Sequence, residues 1–265
     1  MKIIDFHTHC FPDTLAPRAI DVLQKAAGGL LPQTDGTLSG LRASMRQNHV
    51  DISCVMNIAT NPHQMHAVND FAASCCAPDI VPFGSVHPDA PDVLDELDRI
   101  AALGLKGVKF HPDYQGFFVD EERMRPIYRK ISQLSLIVLF HAGQDYGFDT
   151  PYHCMPQGIV RALKMLDTPV VAAHWGSLGC GEEVLQTLCG LPLWFDVSFG
   201  YGAIPRPLAQ HLIEKHGANY ILFGSDTPWH SPSMEYRLLE SLSLSEEEKE
   251  KIYYRNAASL LQIPI

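Results

Sequence analysis

The chain has 265 residues, 46% of them hydrophobic and 19% charged, and a formal net charge of −10. Those values suit a soluble chain with a large core; a negative field with no run of Lys or Arg argues against a nucleic-acid partner or an anionic membrane surface. No segment approaches the roughly 20 apolar residues that a membrane span needs.

In chain order, the opening Met-Lys-Ile-Ile-Asp-Phe-His enters an apolar run at residues 3–6 directly, without the longer apolar stretch and small-residue cleavage site of a signal peptide. Further short runs of β-branched and aromatic residues fall at 52–58, 80–86, 105–110, 136–140, 170–173, 193–199 and 220–223. Between them, apolar residues at helical spacing predict helices over 93–103, 123–134, 157–166, 182–188 and 206–216. Strands that alternate with helices imply parallel neighbours joined by crossovers. Eight of them over this length predict an α/β fold, a (β/α)8 TIM barrel. An open doubly wound sheet is disfavoured, because no GxGxxG follows the first strand.

Two connections are longer than a simple barrel requires. The first, 10–50, has room for two helices near 15–27 and 38–48 separated by Gly28 and Gly29; the second, 143–156, is rich in Gly, Asp, Tyr and His. They follow strands one and five, so both are expected to overhang the C-terminal face, where barrel enzymes carry their sites. Ser245 and Glu248 form a capping-box pattern that starts a closing helix over 246–261. Without internal repeats or linkers, 1–265 reads as a single domain. The seven cysteines show no CxxC spacing, which speaks against a disulfide framework or a Cys-type zinc site and points to the cytoplasm.

The polar residues where strands stop carry the chemical signal. Strand one ends Asp5-Phe6-His7-Thr8-His9, and residues two apart on a strand share a face, so both imidazoles point into the barrel mouth. Strand four ends in Lys109-Phe110-His111, strand five in His141, strand six in His174 and strand eight in Asp226. A lone HxH pair is a loose motif. Independent structural roles, however, would not place His, His, His and Asp at the C-terminal ends of strands one, five, six and eight. Imidazole nitrogens and a carboxylate, with one position left for water, are what a catalytic divalent metal requires.

These same residues carry a family resemblance. Ile4-Asp5-Phe6-His7-Thr8-His9 with Phe11-Pro12, Gly107-Val108-Lys109-Phe110-His111-Pro112, Phe140-His141-Ala142-Gly143, His174-Trp175-Gly176, Gly224-Ser225-Asp226-Thr227-Pro228-Trp229 and Asn256-Ala257 resemble the amidohydrolase superfamily over nearly the whole chain. The branch is the amidohydrolase-related one, which includes aminocarboxymuconate semialdehyde decarboxylase-like proteins. The resemblance implies one divalent metal ion, zinc, held by His7, His9, His141 and Asp226. It also implies catalytic roles for Asp226 as general base and for His174 beside the water or the polarised substrate oxygen. Lys109 is open: some superfamily members carry a carboxylated lysine on strand four that bridges two metals. The position of His111 nearer the strand end favours one metal instead, with Lys109 or His111 contacting an anionic substrate group. Structural roles remain equally open, Lys109 pairing with Asp5 and His111 held by a neighbouring backbone group. Trp175, Arg206 and Trp229 follow strand ends and are candidate substrate contacts, Arg206 by a bidentate grip on a carboxylate. The expected partner is a small-molecule substrate; a homo-oligomer is left open. The expected activity is hydrolysis of an amide, ester or lactone, with non-oxidative decarboxylation or hydration as the alternatives on the same centre.

Overall fold

Eight short strands form where the β-branched and aromatic runs lie: β1 (Ile4–Thr8), β2 (Ile52–Met56), β3 (Ile80–Phe83), β4 (Gly107–Phe110), β5 (Ile137–Phe140), β6 (Val170–Ala172), β7 (Trp194–Asp196) and β8 (Ile221–Leu222). The computed structural model describes residues 1–264. Strands β1 to β3 pair in parallel, as do β4 to β8. Backbone bonds close both seams of the barrel. Gly84 N donates to Gly107 O at 2.9 Å and Lys109 N to Gly84 O at 2.8 Å, joining β3 to β4. Phe6 N donates to Phe223 O at 2.8 Å and Asp226 N to His7 O at 2.8 Å, joining β8 to β1.

Alternation along the strands separates two cores. Phe110, Phe140, Phe195 and Phe223 face outwards and pack under the helices. Ile4, Phe6, Cys54, Met56, Leu139, Val171 and Leu222 fill the barrel interior, and Ala257, Ala258 and Leu261 of the last helix plug its lower end. Polar groups on the inward face therefore gather only at the upper, C-terminal end. The closing helix begins at the predicted capping box on Ser245 and Glu248 and runs to Leu261, with a π-helical stretch at Lys251–Arg255.

The long β1 connection holds helices Ala16–Ala26 and Leu38–Asn48, and Gly28 and Gly29 break between them at φ of 66° and 90°. The β5 connection crosses the mouth. Its Phe148 packs on Tyr114 at 4.7 Å after β4, and its Tyr146 lies 5.8 Å from Phe199 after β7. Three expected strands stop early, at Met56, Phe83 and Asp196; Met56 O lies 2.7 Å from His9 Nδ1 and the Asp196 carboxylate 2.9 Å from His7 Nδ1. Helices Met65–Cys75 and Pro232–Leu239 fill the connections after β2 and β8. Among the described residues no helix is long and apolar enough to cross a membrane.

Asn256 pins the closing helix to β8: its Nδ2 donates to Ala218 O and Ile221 O, each at 2.7 Å. Asn256→Ala strands these carbonyls and is expected to cost about 2 kcal/mol of stability, read as a lower urea midpoint at unchanged m-value.

Candidate metal centre

Three donor atoms from the two ends of the chain meet at the mouth. His9 Nε2 lies 3.2 Å from His7 Nε2 and 3.1 Å from Asp226 Oδ1, and His7 Nε2 lies 3.5 Å from the same oxygen. Zinc bonds of 2.0–2.1 Å in a tetrahedron would separate adjacent donors by about 3.3 Å. His174 belongs to the same group, with one ring nitrogen within 4.8 Å of ligand atoms of His7 and Asp226. Its Nε2 faces His141 Nδ1 at 3.1 Å.

The proton positions on these rings follow from their other contacts. His7 Nδ1 lies 2.9 Å from Asp196 Oδ2, and His9 Nδ1 lies 2.7 Å from Met56 O. A carboxylate and a carbonyl can only accept, so both Nδ1 atoms carry the proton and both Nε2 atoms are bare. Ser198 Oγ donates to Asp196 and so accepts from His174 Nδ1 at 2.9 Å, leaving His174 Nε2 bare. His141 Nε2 donates to Gln144 O at 3.3 Å, leaving its Nδ1 bare. The bare His7 and His9 nitrogens thus face the Asp226 carboxylate, and bare His174 Nε2 faces bare His141 Nδ1. The Lys109 ammonium, 3.2 Å from His7 Nε2, offsets part of the repulsion in this set, and the nitrogen and carboxylate donors fit a divalent metal.

Burial supports the neutral, ligating form. It lowers the pKa of His7 to about 3, aided by the positive charge of Lys109 and opposed by Asp196. Burial likewise depresses His174, and holds His111 and His141 well below the ordinary histidine value. The same burial would raise the Asp226 carboxyl, but its contacts with His9, His7 and His174 hold it far below the usual carboxylate range. Asp226 and His174 adopt left-handed backbone conformations, at φ of 70° and 58°, as do Trp175 and Phe199 at 60° and 57°.

The remaining candidates divide. Lys109 is buried inside the barrel with Nζ 3.2 Å from His7 Nε2, and burial lowers its pKa to about 8 against the pull of Asp196 and Asp226. It does not pair with Asp5, whose carboxylate accepts instead from Ser225 Oγ at 2.6 Å and Ser225 N at 2.9 Å. His111 stacks on His141 at 4.0 Å, lies 3.1 Å from Asp145 Oδ2, and accepts from Tyr114 N at 3.5 Å, so it supports His141. Asp145 also brings His111 and His141 into a second trio of possible ligands. There the Nε2 atoms already carry protons, which makes it a hydrogen-bonded support. Trp175 is buried and Trp229 half-buried, with backbone nitrogens bonded to Asp196 O at 2.7 Å and Asp226 O at 2.8 Å. Arg206 is not brought to the centre: it is exposed at the start of a helix, and its guanidinium donates to Ser241 O. Sequence reading missed Asp196, Ser198 and Asp145. Asp196 and Ser198 occupy the alternation of strand seven, Asp-Val-Ser, and that was the available signal.

The amidohydrolase family model matches residues 4–263. The chain belongs to the amidohydrolase family. No curated protein matches it significantly. Among solved structures it is similar to an uncharacterised TIM-barrel protein from Bordetella bronchiseptica, at 20% identity over 99% of both chains and a TM-score of 0.79. It is similar to 5-carboxyvanillate decarboxylase from Sphingomonas paucimobilis, at 15% identity over 100% of both chains and a TM-score of 0.73. A 5-carboxyvanillate decarboxylase from Novosphingobium aromaticivorans with bound manganese is 15% identical over 99% of this chain and 97% of its own, at a TM-score of 0.72. At these identities the likenesses establish the shared barrel fold.

In this amidohydrolase the carboxylate of Asp196 holds the ring of His7. Asp196→Asn is expected to weaken metal affinity by roughly 10–100-fold while leaving the fold intact, measured by competition with a chromogenic chelator.

Proposed function

We propose that this amidohydrolase is a metal-dependent hydrolase of a small-molecule amide, ester or lactone. The convergence of bare His7, His9 and His174 nitrogens on Asp226, with bare His141 Nδ1 3.1 Å from His174 Nε2 and each ring fixed by an acceptor on its far side, carries the reading. His7, His9 and Asp226 would hold the ion, with His141 completing the set, and mixed nitrogen and oxygen donors suit zinc. A divalent ion bound there supplies Lewis acidity and brings the pKa of water down towards about 7.

The chain's own groups then divide the work. Asp226 makes its contacts through Oδ1; among the described residues no protein group bonds Oδ2, which is free to take a proton from the attacking water. His174 is oriented by Ser198 at 2.9 Å and stacks on His7 at 5.0 Å, where it can stabilise charge on the attacked group. The aromatic residues of the β4 and β5 connections, Tyr114 and Phe148, form a wall over the mouth that limits water access.

Lys109 favours a second reading. A buried ammonium against His7 can neutralise a substrate carboxylate, as non-oxidative decarboxylation or hydration of a carboxylated substrate would use. Several proteins with similar structures are named as decarboxylases. Turnover in H2 18O decides between the readings: hydrolysis places the label in the product acid as a bond to the leaving group breaks, hydration places it in a new hydroxyl with no fragment released, and decarboxylation releases CO2 with no label in the organic product.

Stripping the metal with a chelator is expected to abolish activity, and zinc to restore it. Asp226→Asn is expected to lower kcat by roughly 10²–10⁴-fold even where elemental analysis shows retained metal. Full activity in the metal-free protein would overturn the reading.

A further inference from the structure

Beside His174 the mouth deepens into a cavity of about 230 Å3. Leu178, Phe199, Ile204 and Leu208 give it apolar walls, and Glu182 and Glu183 also line it. Among the described residues no Lys or Arg lines it. His174, which lines the cavity, also has a ring nitrogen within 4.8 Å of ligand atoms of His7 and Asp226, so one residue is shared by the cavity and the candidate centre.

The wall is fixed by specific bonds. Buried Glu235 accepts from Gly200 N at 3.0 Å and Tyr201 N at 3.1 Å, directly after Phe199. The same carboxylate lies 2.7 Å from His230 Nδ1, and the His230 ring stacks on Phe199 at 4.0 Å. Gly200 packs closely against Trp175: a Cβ there would lie 2.2 Å from Trp175 Nε1, so only glycine fits. A cavity held open in this way is preorganised for an occupant.

Its chemistry narrows the occupant. An apolar cavity of roughly 150 Å3 already binds benzene, so this one accommodates a phenyl ring or a branched alkyl group. An anionic group there would lose its hydration without gaining a cation, and would face Glu182, Glu183 and a chain of net charge −10.

We propose that this cavity is the subsite for an uncharged aryl or branched-alkyl substituent carried on the reacting carbon of the substrate. The inference rests on the hydrolase reading and narrows it to esters and amides whose acyl part is neutral and apolar. Phe199 and Ile204 contact that substituent, and Glu235 is the positioning residue that holds the wall.

The test uses zinc-loaded protein and three p-nitrophenyl esters that share a leaving group: acetate, phenylacetate and hemisuccinate. The expected kcat/KM for phenylacetate exceeds that for hemisuccinate by at least about tenfold. Ala203→Phe and Ile204→Trp, which fill the cavity, are expected to lower the phenylacetate-to-acetate ratio at least about tenfold. Fluorobenzene, followed by 19F line broadening, reports occupancy without turnover; its binding is expected in the wild type and lost in both filled variants. Should no ester turn over while fluorobenzene still binds in this pattern, the hydrolase reading fails and the subsite stands. Equal kcat/KM across the esters, or fluorobenzene binding unchanged in filled variants that retain native circular dichroism, overturns the subsite.

Discussion

The contact between His7 Nδ1 and Asp196 Oδ2, 2.9 Å long and sealed from solvent, joins β1 to β7 across the barrel interior, and the centre depends on it. It fixes the His7 tautomer and aims the free nitrogen upwards. Burial pushes the Asp196 carboxyl up, yet contact with His7 and the bond from Ser198 hold it well below the usual range. Its Oδ1 also accepts from His174 N and Ser198 N, each at 3.1 Å. One carboxylate therefore sets His7 directly, His174 through its backbone, and the His174 ring through Ser198. Removing it would misplace two imidazoles and leave several buried donors without a partner, a larger disturbance than the loss of one hydrogen bond.

That arrangement requires the strands to end abruptly. His174, Trp175, Phe199 and Asp226 all occupy the left-handed region, where a side chain costs roughly 1–3 kcal/mol. The surrounding backbone enforces those conformations. Trp175 N is bonded to Asp196 O at 2.7 Å, and Asp226 N to His7 O at 2.8 Å. Turning the chain immediately after the last paired residue raises the side chain into the mouth. Had these strands continued in regular extended form, alternation would have sent every second group outwards, away from the centre. The strain is the cost of bringing five strands' ends to a common point.

Below the centre the barrel is apolar. Phe6, Met56, Leu139 and Leu222 fill the interior, and Ala257 and Leu261 of the closing helix seal the lower end. This apolar floor keeps the local dielectric low, which depresses the histidines and strengthens each contact at the mouth. It also explains why Lys109 is held so closely. Its ammonium is buried beneath the mouth, with Nζ 3.2 Å from His7 Nε2.

How much of this could be read beforehand depends on distance along the chain. The eight strands were legible because β-branched runs separated by helical periodicity are local patterns, and the capping box on Ser245 is four residues long. His7, His9, His174 and Asp226 were legible because a strand's last residues must lie at its mouth. Asp196 fell inside an expected strand, alternating with Ser198, but its partner was not legible: only the ring of His7, 189 residues away, gives it a role. The same limit misdirected Arg206. Its place after a strand suggested the mouth, but the carbonyl of Ser241, 35 residues further on, draws the guanidinium outwards. Periodicity places a residue on an element; which donor meets which acceptor is decided by the tertiary packing of elements remote in sequence. At this centre those pairings, more than the residue types, determine where the lone pairs point, and therefore what the site can bind.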